Sequence, residues 1–235
     1  MKRIKALWLL PLIFGLVACG DLDEYNTNRT SSGGDGITAA GFDGRDYLNP
    51  YSYLVLVNQY HRLDANFSPS DLRLLNVLDY NQQMATTIYL REQAATMAEL
   101  LFQAAIEEMG LTLLAWSGYR SYQAQKQLHE SFVNQLGQIE AERIVARPGH
   151  SEHQTGLALD VKAFSPSGLE RSFGDTFESY WLGQNAHRFG FIIRYPEGRE
   201  AETGFIYEPW HIRYVGIDAA TEIYENNLIL EEFLR

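Results

Sequence analysis

A single cysteine, Cys19, is the only thiol in this 235-residue chain. No disulfide can form within it, so the fold rests on packing and on any metal it binds. Basic residues are also scarce: 19 Lys and Arg stand against 30 Asp and Glu, a net charge of -11. Such an acidic chain is a poor candidate for nucleic-acid binding, and its charge serves solvation. The apolar run from Ala6 to Ala18 is too short to span a membrane comfortably. A glycine-rich phosphate loop and a regular strand-helix repeat are both missing, which argues against a doubly wound nucleotide fold. There is no internal repeat, and no break in composition between Tyr51 and Arg235.

What is present begins with a leader. Met1-Lys2-Arg3-Ile4-Lys5 is basic, the stretch to Ala18 is apolar, and Cys19-Gly20-Asp21 follows, the three-part layout of an export signal. Leu16-Val17-Ala18-Cys19 resembles a bacterial lipobox, which implies acylation of Cys19 and attachment to the membrane outside the cytoplasm. Residues 1–19 read as a lipoprotein-type signal, and loss of the leader ahead of Cys19 removes Lys2, Arg3 and Lys5, leaving 16 basic against 30 acidic residues, or -14. Residues 20–50 are rich in Asp, Asn, Ser, Thr and Gly and read as a flexible tether. Residues 51–235 then form one domain, in a chain whose 46% hydrophobic and 13% aromatic content supplies a full core.

Within that domain Ala94, Met97, Ala98, Leu101, Ala105 and Met109 recur at helical spacing, and Gly110 is placed to cap the helix. Leu111 to Trp116 reads as a strand. Ser121 is placed to cap a second helix with Ala124, Leu128, Phe132 and Leu136 on one stripe. Leu157 to Lys162 alternates, setting Asp160 on the face opposite Leu159 and Val161. A helix over Asp175–Phe189 closed by Gly190, strands at Phe191–Tyr195 and His211–Val215, and a last helix over Gly216–Asn226 complete the reading. The mixed order predicts an α+β single domain, with a small, mainly antiparallel sheet flanked by helices.

Ser151 to Asp160 and Glu208-Pro209-Trp210-His211 carry the chemistry. Two imidazoles and one carboxylate leave one position of a tetrahedral zinc free for water, and Glu208 lies close to the second imidazole as a proton acceptor. His153 and Asp160 can face one ion if a turn between them leads into a strand. In a regular strand Glu208 and His211 would point to opposite faces, but Pro209 interrupts the ladder and permits a bulge that reunites them. Glu208 ending a strand beside a core Trp210 and a hydrogen-bonded interior His211 is the alternative. Arg120, at a strand-to-helix junction, suits an oxyanion or a carboxylate, or else a surface salt bridge. His150 is a rival ligand left off the metal set, and His61, His129 and His187 have no carboxylate at a telling spacing. Glu197, Arg199, Glu200 and Glu202 read as a solvated loop, or as one wall of a cleft.

Three ordered blocks, Ser117-Gly118-Tyr119-Arg120-Ser121, Ser151 through Asp160, and Glu208-Pro209-Trp210-His211, resemble the zinc D-alanyl-D-alanine carboxypeptidases of the VanY type. The wider group includes D-Ala-D-Ala dipeptidases, L,D-carboxypeptidases and the hedgehog zinc domain. The resemblance covers about Tyr51 to Gly216. It implies that His153, Asp160 and His211 hold one zinc ion, Glu208 is the catalytic base and Arg120 stabilises the transition state. It further implies that Ser151 and Gln125 contact the substrate peptide, where a capping or turn role for Ser151 and an exposed helix position for Gln125 are the alternatives.

The expectation is a monomeric, membrane-anchored lipoprotein facing the cell wall, which takes the terminal D-alanine from peptidoglycan stem pentapeptides. Its tether of about thirty residues has an r.m.s. reach of about 30 Å. An L,D-carboxypeptidase acting on tetrapeptides is the runner-up. A catalytically silent cell-wall binding module is the alternative from outside the enzymes, and the retained Glu208 argues against it.

Overall fold

The computed structural model describes residues 46–81, 83–164 and 172–235. The leader, Cys19 and residues 20–45 of the tether lie outside them. Residues 46–50, which composition assigns to the tether, are folded: Asp46–Leu48 makes a turn of 3-10 helix, and Tyr47 packs on a hydrophobic cluster with Leu54 and Leu56.

A four-stranded antiparallel sheet carries the architecture. Its strands are β3 (Leu113–Ser117), β4 (Ala158–Ala163), β5 (Phe191–Tyr195) and β6 (Glu208–Tyr214), in the order β3-β4-β6-β5. A two-stranded antiparallel pair, β1 (Leu72–Leu74) and β2 (Tyr89–Arg91), precedes it. The period-two pattern read from Leu157 to Lys162 appears as expected. Leu159 and Val161 enter the main core with Phe191, Ile212 and Tyr214, which leaves Asp160 on the opposite face. β6 begins at Glu208, three residues before the sequence places it. It is an interior strand buried along almost its whole length, so it lacks the polar alternation that would have marked its start.

Helix α1 (Glu92–Met109) packs its Ala94, Met97, Ala98, Leu101 and Ala105 face on that core. Gly110 ends it at φ 67, donating its N–H to the carbonyls of Ala105 and Ile106. Met109, read as part of the stripe, is exposed. Helix α2 (Tyr122–Leu136) is capped by Ser121 Oγ, which accepts from the Ala124 N–H. Its predicted stripe is displaced: Ala124 and Leu136 are exposed, Leu128 and Phe132 half-buried, and Gln125 is the residue fully inside. The helix lies on the surface and turns a polar residue inward for a reason the site explains.

The short helix α3 (Gln138–Ile144) follows. The helix expected over Asp175–Phe189 resolves into α4 (Phe177–Asn185), capped by Thr176, between 3-10 turns at Phe173–Asp175 and Ala186–Phe189. Part of the charged loop before Glu208 becomes α5 (Glu200–Thr203), with Arg199 paired to Glu202 and Glu232. Helices α6 (Ile217–Glu225) and α7 (Leu230–Phe233) end the chain. Their Ala220, Ile223 and Leu230 form a second, smaller core with Ile192, Val215, Leu54 and Leu56. Ile192 is opposite Arg213 in the β5–β6 register, so this small core adjoins the sheet face that bears Arg213.

Candidate metal centre

Register brings the ligand residues together. Asp160 of β4 is directly opposite His211 of β6, and Ala158 is opposite Arg213. Directly opposed residues share a face with their Cβ atoms about 5 Å apart, and here His211 Nδ1 lies 2.9 Å from Asp160 Oδ1. His153 arrives from a 3-10 turn, Glu152–Thr155, that Gly156 closes at φ 68 before β4 begins. This is the turn-into-strand route the spacing required, and it sets His153 Nε2 3.2 Å from Asp160 Oδ2. One ligand atom from each of the three lies within 4.8 Å of the others.

The protonation pattern fits a cation. His153 Nδ1 lies 2.7 Å from the Gly118 carbonyl oxygen. A carbonyl only accepts, so Nδ1 carries the proton and Nε2 keeps its lone pair in the neutral ring. Burial lowers the His153 pKa and favours that neutral ring, against the Asp160 charge. An imidazole lone pair and a carboxylate oxygen thus face each other, two acceptors that a cation between them reconciles. Nitrogen and oxygen ligands with an open position suit zinc. Gly118 has no room for a side chain, since a Cβ there would lie 2.5 Å from the Tyr89 carbonyl oxygen.

The bulge foreseen at Pro209 is present. Between β5 and β6 the register passes from Ile193–Ile212 to Tyr195–Glu208, so β6 uses four residues where β5 uses two. Glu208 thereby returns to the ligand side, its Oε2 4.0 Å from His211 Nδ1. Burial pushes its carboxyl up to about 7, with His211 pulling it down and Asp160 and Glu152 adding to the rise.

Arg120 is not a surface arginine. It donates to Gln125 Oε1 at 2.9 Å and to Ser117 Oγ at 2.6 Å, and its charge is felt by Asp160 and Glu208. Gln125 is buried, its amide donating to the Ala146 carbonyl while its oxygen holds Arg120. That contact is why α2 turns a glutamine inward. Ser151 is also buried, at the head of the 3-10 turn, and its hydroxyl makes no capping bond. His150 Nδ1 meets the Asn58 carbonyl oxygen, apart from the ligand cluster. His61 packs edge-on against Tyr47, and His187 stacks on Tyr224.

Sequence reasoning missed Glu152, fully buried beneath His211. Its Oε2 lies 3.4 Å from His211 Nε2, and its Oε1 accepts from Arg194 and Arg213, both at 2.7 Å. Arg194 in turn donates to both oxygens of Glu231 in α7. Burial opposes the Glu152 charge, yet the two guanidiniums and His211 hold its carboxyl well below the usual range. Burial likewise opposes the charged form of His211, but its bonds with Asp160 and Glu152 and the nearby carboxylates raise its pKa to about 9. A buried carboxylate accepting from the distal nitrogen of a ligand histidine fixes the ring and leaves Nδ1 for the ion. Its one sequence signal is position, immediately before His153.

The domain thus gathers two histidines and a carboxylate within reach of one ion, with a buried glutamate 4.0 Å from the second histidine. The family described as VanY, D-alanyl-D-alanine carboxypeptidase, matches residues 87–217. The putative carboxypeptidase YodJ of Bacillus subtilis is 44% identical over 193 residues, covering 81% of this chain and 70% of the relative. The solved LdcB LD-carboxypeptidase is 43% identical with a TM-score of 0.72, over 79% of this chain and 86% of that one. The D,D-pentapeptidase VanY of a VanB-type resistance cassette, solved with Zn(II), is 35% identical with a TM-score of 0.65, over 79% and 99%. The chain belongs to the VanY family of D-alanyl-D-alanine carboxypeptidases.

Two outcomes follow from the centre. Because His211 keeps its proton up to about pH 9 in the metal-free protein, zinc must displace it, and affinity should rise from pH 7 to 9 by up to about tenfold per unit. Chelator competition across that range measures this, and a flat profile would refute the displacement. In Glu152→Gln, which keeps the shape and removes the charge, zinc affinity should fall roughly 10- to 100-fold. An unchanged value, with the fold intact by circular dichroism, would remove Glu152 from the support of His211.

Proposed function

We propose that the domain is a zinc-dependent D,D-carboxypeptidase that removes the terminal D-alanine from peptidoglycan stem pentapeptides. The observation that carries this is Glu208, a buried carboxyl 4.0 Å from a ligand histidine and raised to about 7, near the pH at which a general base works best. A zinc ion held by His153, Asp160 and His211 supplies Lewis acidity and lowers the pKa of water from about 15.7 towards about 7. Glu208 takes the proton from the attacking water and delivers it to the leaving amine. Arg120, held by Ser117 and Gln125, presents its guanidinium to the oxyanion that develops on the scissile carbonyl. A silent binding module has no chemical need for a buried carboxylate at Glu208.

A second reading, removal of the D-residue from tetrapeptides by L,D-cleavage, is favoured by the likeness to LdcB. The same metal and base serve both reactions, so the substrate decides. The purified domain is to be incubated with pentapeptide and tetrapeptide, with and without chelator, and the products weighed. Chelator-sensitive loss of one alanine from the pentapeptide supports the D,D reading, and loss from the tetrapeptide alone replaces it with the L,D reading. In Glu208→Ala turnover should fall by at least about 100-fold while bound zinc stays stoichiometric. Undiminished turnover would overturn the role given to Glu208.

We propose further that the protein works as a monomer outside the cytoplasm, anchored by a lipid on Cys19. The supporting observations are the basic and apolar leader and the lipobox-like Leu16-Val17-Ala18-Cys19. A single acyl chain binds weakly, so stable anchoring needs more than one. In a bacterial host the full-length chain should fractionate with membranes and Cys19→Ala should not; identical fractionation of the two would reject the anchor.

A further inference from the structure

A cavity of about 340 Å³ lies among Tyr47, Tyr60, His61, Arg62, Asp64 and Phe67, and none of the metal ligands lines it. Its size is that of a small-molecule pocket. The walls are aromatic: Tyr47 meets His61 edge-on with ring centroids 5.8 Å apart, Phe67 meets Tyr51 at 5.5 Å, and Tyr60 is 79% exposed. Asn58 is buried and fixes one wall. Its Nδ2 donates to Glu231 at 3.2 Å, and its Oδ1 accepts the backbone N–H groups of Tyr60 and His61 and meets His61 Nδ1 at 3.1 Å. An amide oxygen only accepts, so His61 Nδ1 carries the proton and Nε2 is left as an acceptor in the neutral ring. The segment from Leu63 to Phe67 is stapled to the chain around His153. The Leu63 N–H donates to the Gly149 carbonyl, and the Gln154 amide donates to the carbonyls of Asp64 and Phe67 at 2.9 and 3.1 Å. The cavity is thus pre-formed and joined to the catalytic turn, yet the proposed chemistry leaves it unused.

We infer that this cavity binds a pyranose ring of the glycan strand to which the stem peptide is joined. The inference rests on the peptidoglycan reading of the metal centre and deepens it. A pyranose carries C–H bonds on its faces and hydroxyls round its edge. The faces pack on aromatic rings by burial and dispersion, and Tyr47, Tyr60, His61 and Phe67 supply such rings. The edge hydroxyls both donate and accept. They meet an acceptor in His61 Nε2, donors in the Arg62 guanidinium and a charged acceptor in Asp64, whose Oδ1 also holds the Asn66 N–H. Bonds to the two charged groups are the stronger ones. Because Arg62 and Asp64 bring opposite charges to one cavity, neither an anion nor a cation is favoured over a neutral polar ligand. An extended peptide would pair with a strand edge, and residues 47–67 contain no strand. Through Gln154 the cavity is tied to the residue after His153, so a sugar held there positions its stem peptide at the metal centre and lowers KM without altering the chemical step.

A glycan-strand tetrasaccharide stripped of its peptides is the probe for the cavity alone. In calorimetric titration it should bind the full-length chain, and Tyr60→Ala and Arg62→Gln should each weaken it roughly tenfold, about the loss of one ring face or one charge-assisted bond. Both side chains are exposed, so fold and zinc content should stay unchanged. Turnover then connects the cavity to the reaction. The pentapeptide joined to the tetrasaccharide should show a lower KM than the free pentapeptide at the same kcat, and both variants should erase that difference while cleaving the free peptide as wild type does. Absence of tetrasaccharide binding to wild type, or equal binding to all three proteins, would overturn the assignment, as would an equal loss of turnover on both peptides. Should neither peptide be cleaved by wild type, the carboxypeptidase reading fails, and the tetrasaccharide titration still decides whether the cavity takes a sugar.

Discussion

The carboxylate of Glu152, sealed between Arg194 and Arg213, is the interaction on which the rest of the centre depends. Neither guanidinium can be left buried alone, since removing one partner of a buried pair leaves a charge without compensation. Each is therefore saturated: Arg194 by Glu152 and Glu231, and Arg213 by Glu152 and the carbonyls of Tyr53 and Val55. The one acceptor position of Glu152 turned towards the cleft meets His211. The segment around Tyr53, the turn at Glu152, strands β5 and β6, and helix α7 are thus joined through a single carboxylate to the orientation of one imidazole.

The opposite pair of contacts settles the electrostatics. His153 leans on a backbone carbonyl, which carries no net charge, and burial keeps its ring neutral; His211 leans on a carboxylate and retains its proton. One cluster therefore holds two histidines of different basicity, with Asp160 between them. Glu208, further from compensation, sits near neutrality. Environments that drive neighbouring titratable groups apart in this way are how a site divides the duties of holding an ion and moving a proton.

Much of this was legible in the sequence because its signals are local. The period of α1, its Gly110 cap, the alternation about Asp160 and the break at Pro209 each sit within a few residues, and each appears in the structure. The α2 stripe was misplaced because Gln125 is inside to hold Arg120, a demand of the site that overrides apolar periodicity. The strands β1 and β2, three residues each, are too short for a pattern to show. The buried charges were illegible for a different reason. Arg194, Arg213 and Glu231 look like surface residues one at a time, and their partners are 42, 61 and 37 positions away. Only the folded chain reveals that their charges cancel.

The pairing of Arg194 with Glu231 also imposes an order in time. During synthesis Glu152, Arg194 and Arg213 emerge before α7, and until Glu231 follows, two guanidiniums share one carboxylate in a region meant to be dry. Without Glu231 that excess positive charge would lie close to the ligand residues, since Glu152 also meets His211. The charge balance beside the centre is therefore completed by α7, whose Glu231 bonds Arg194 and not a ligand residue.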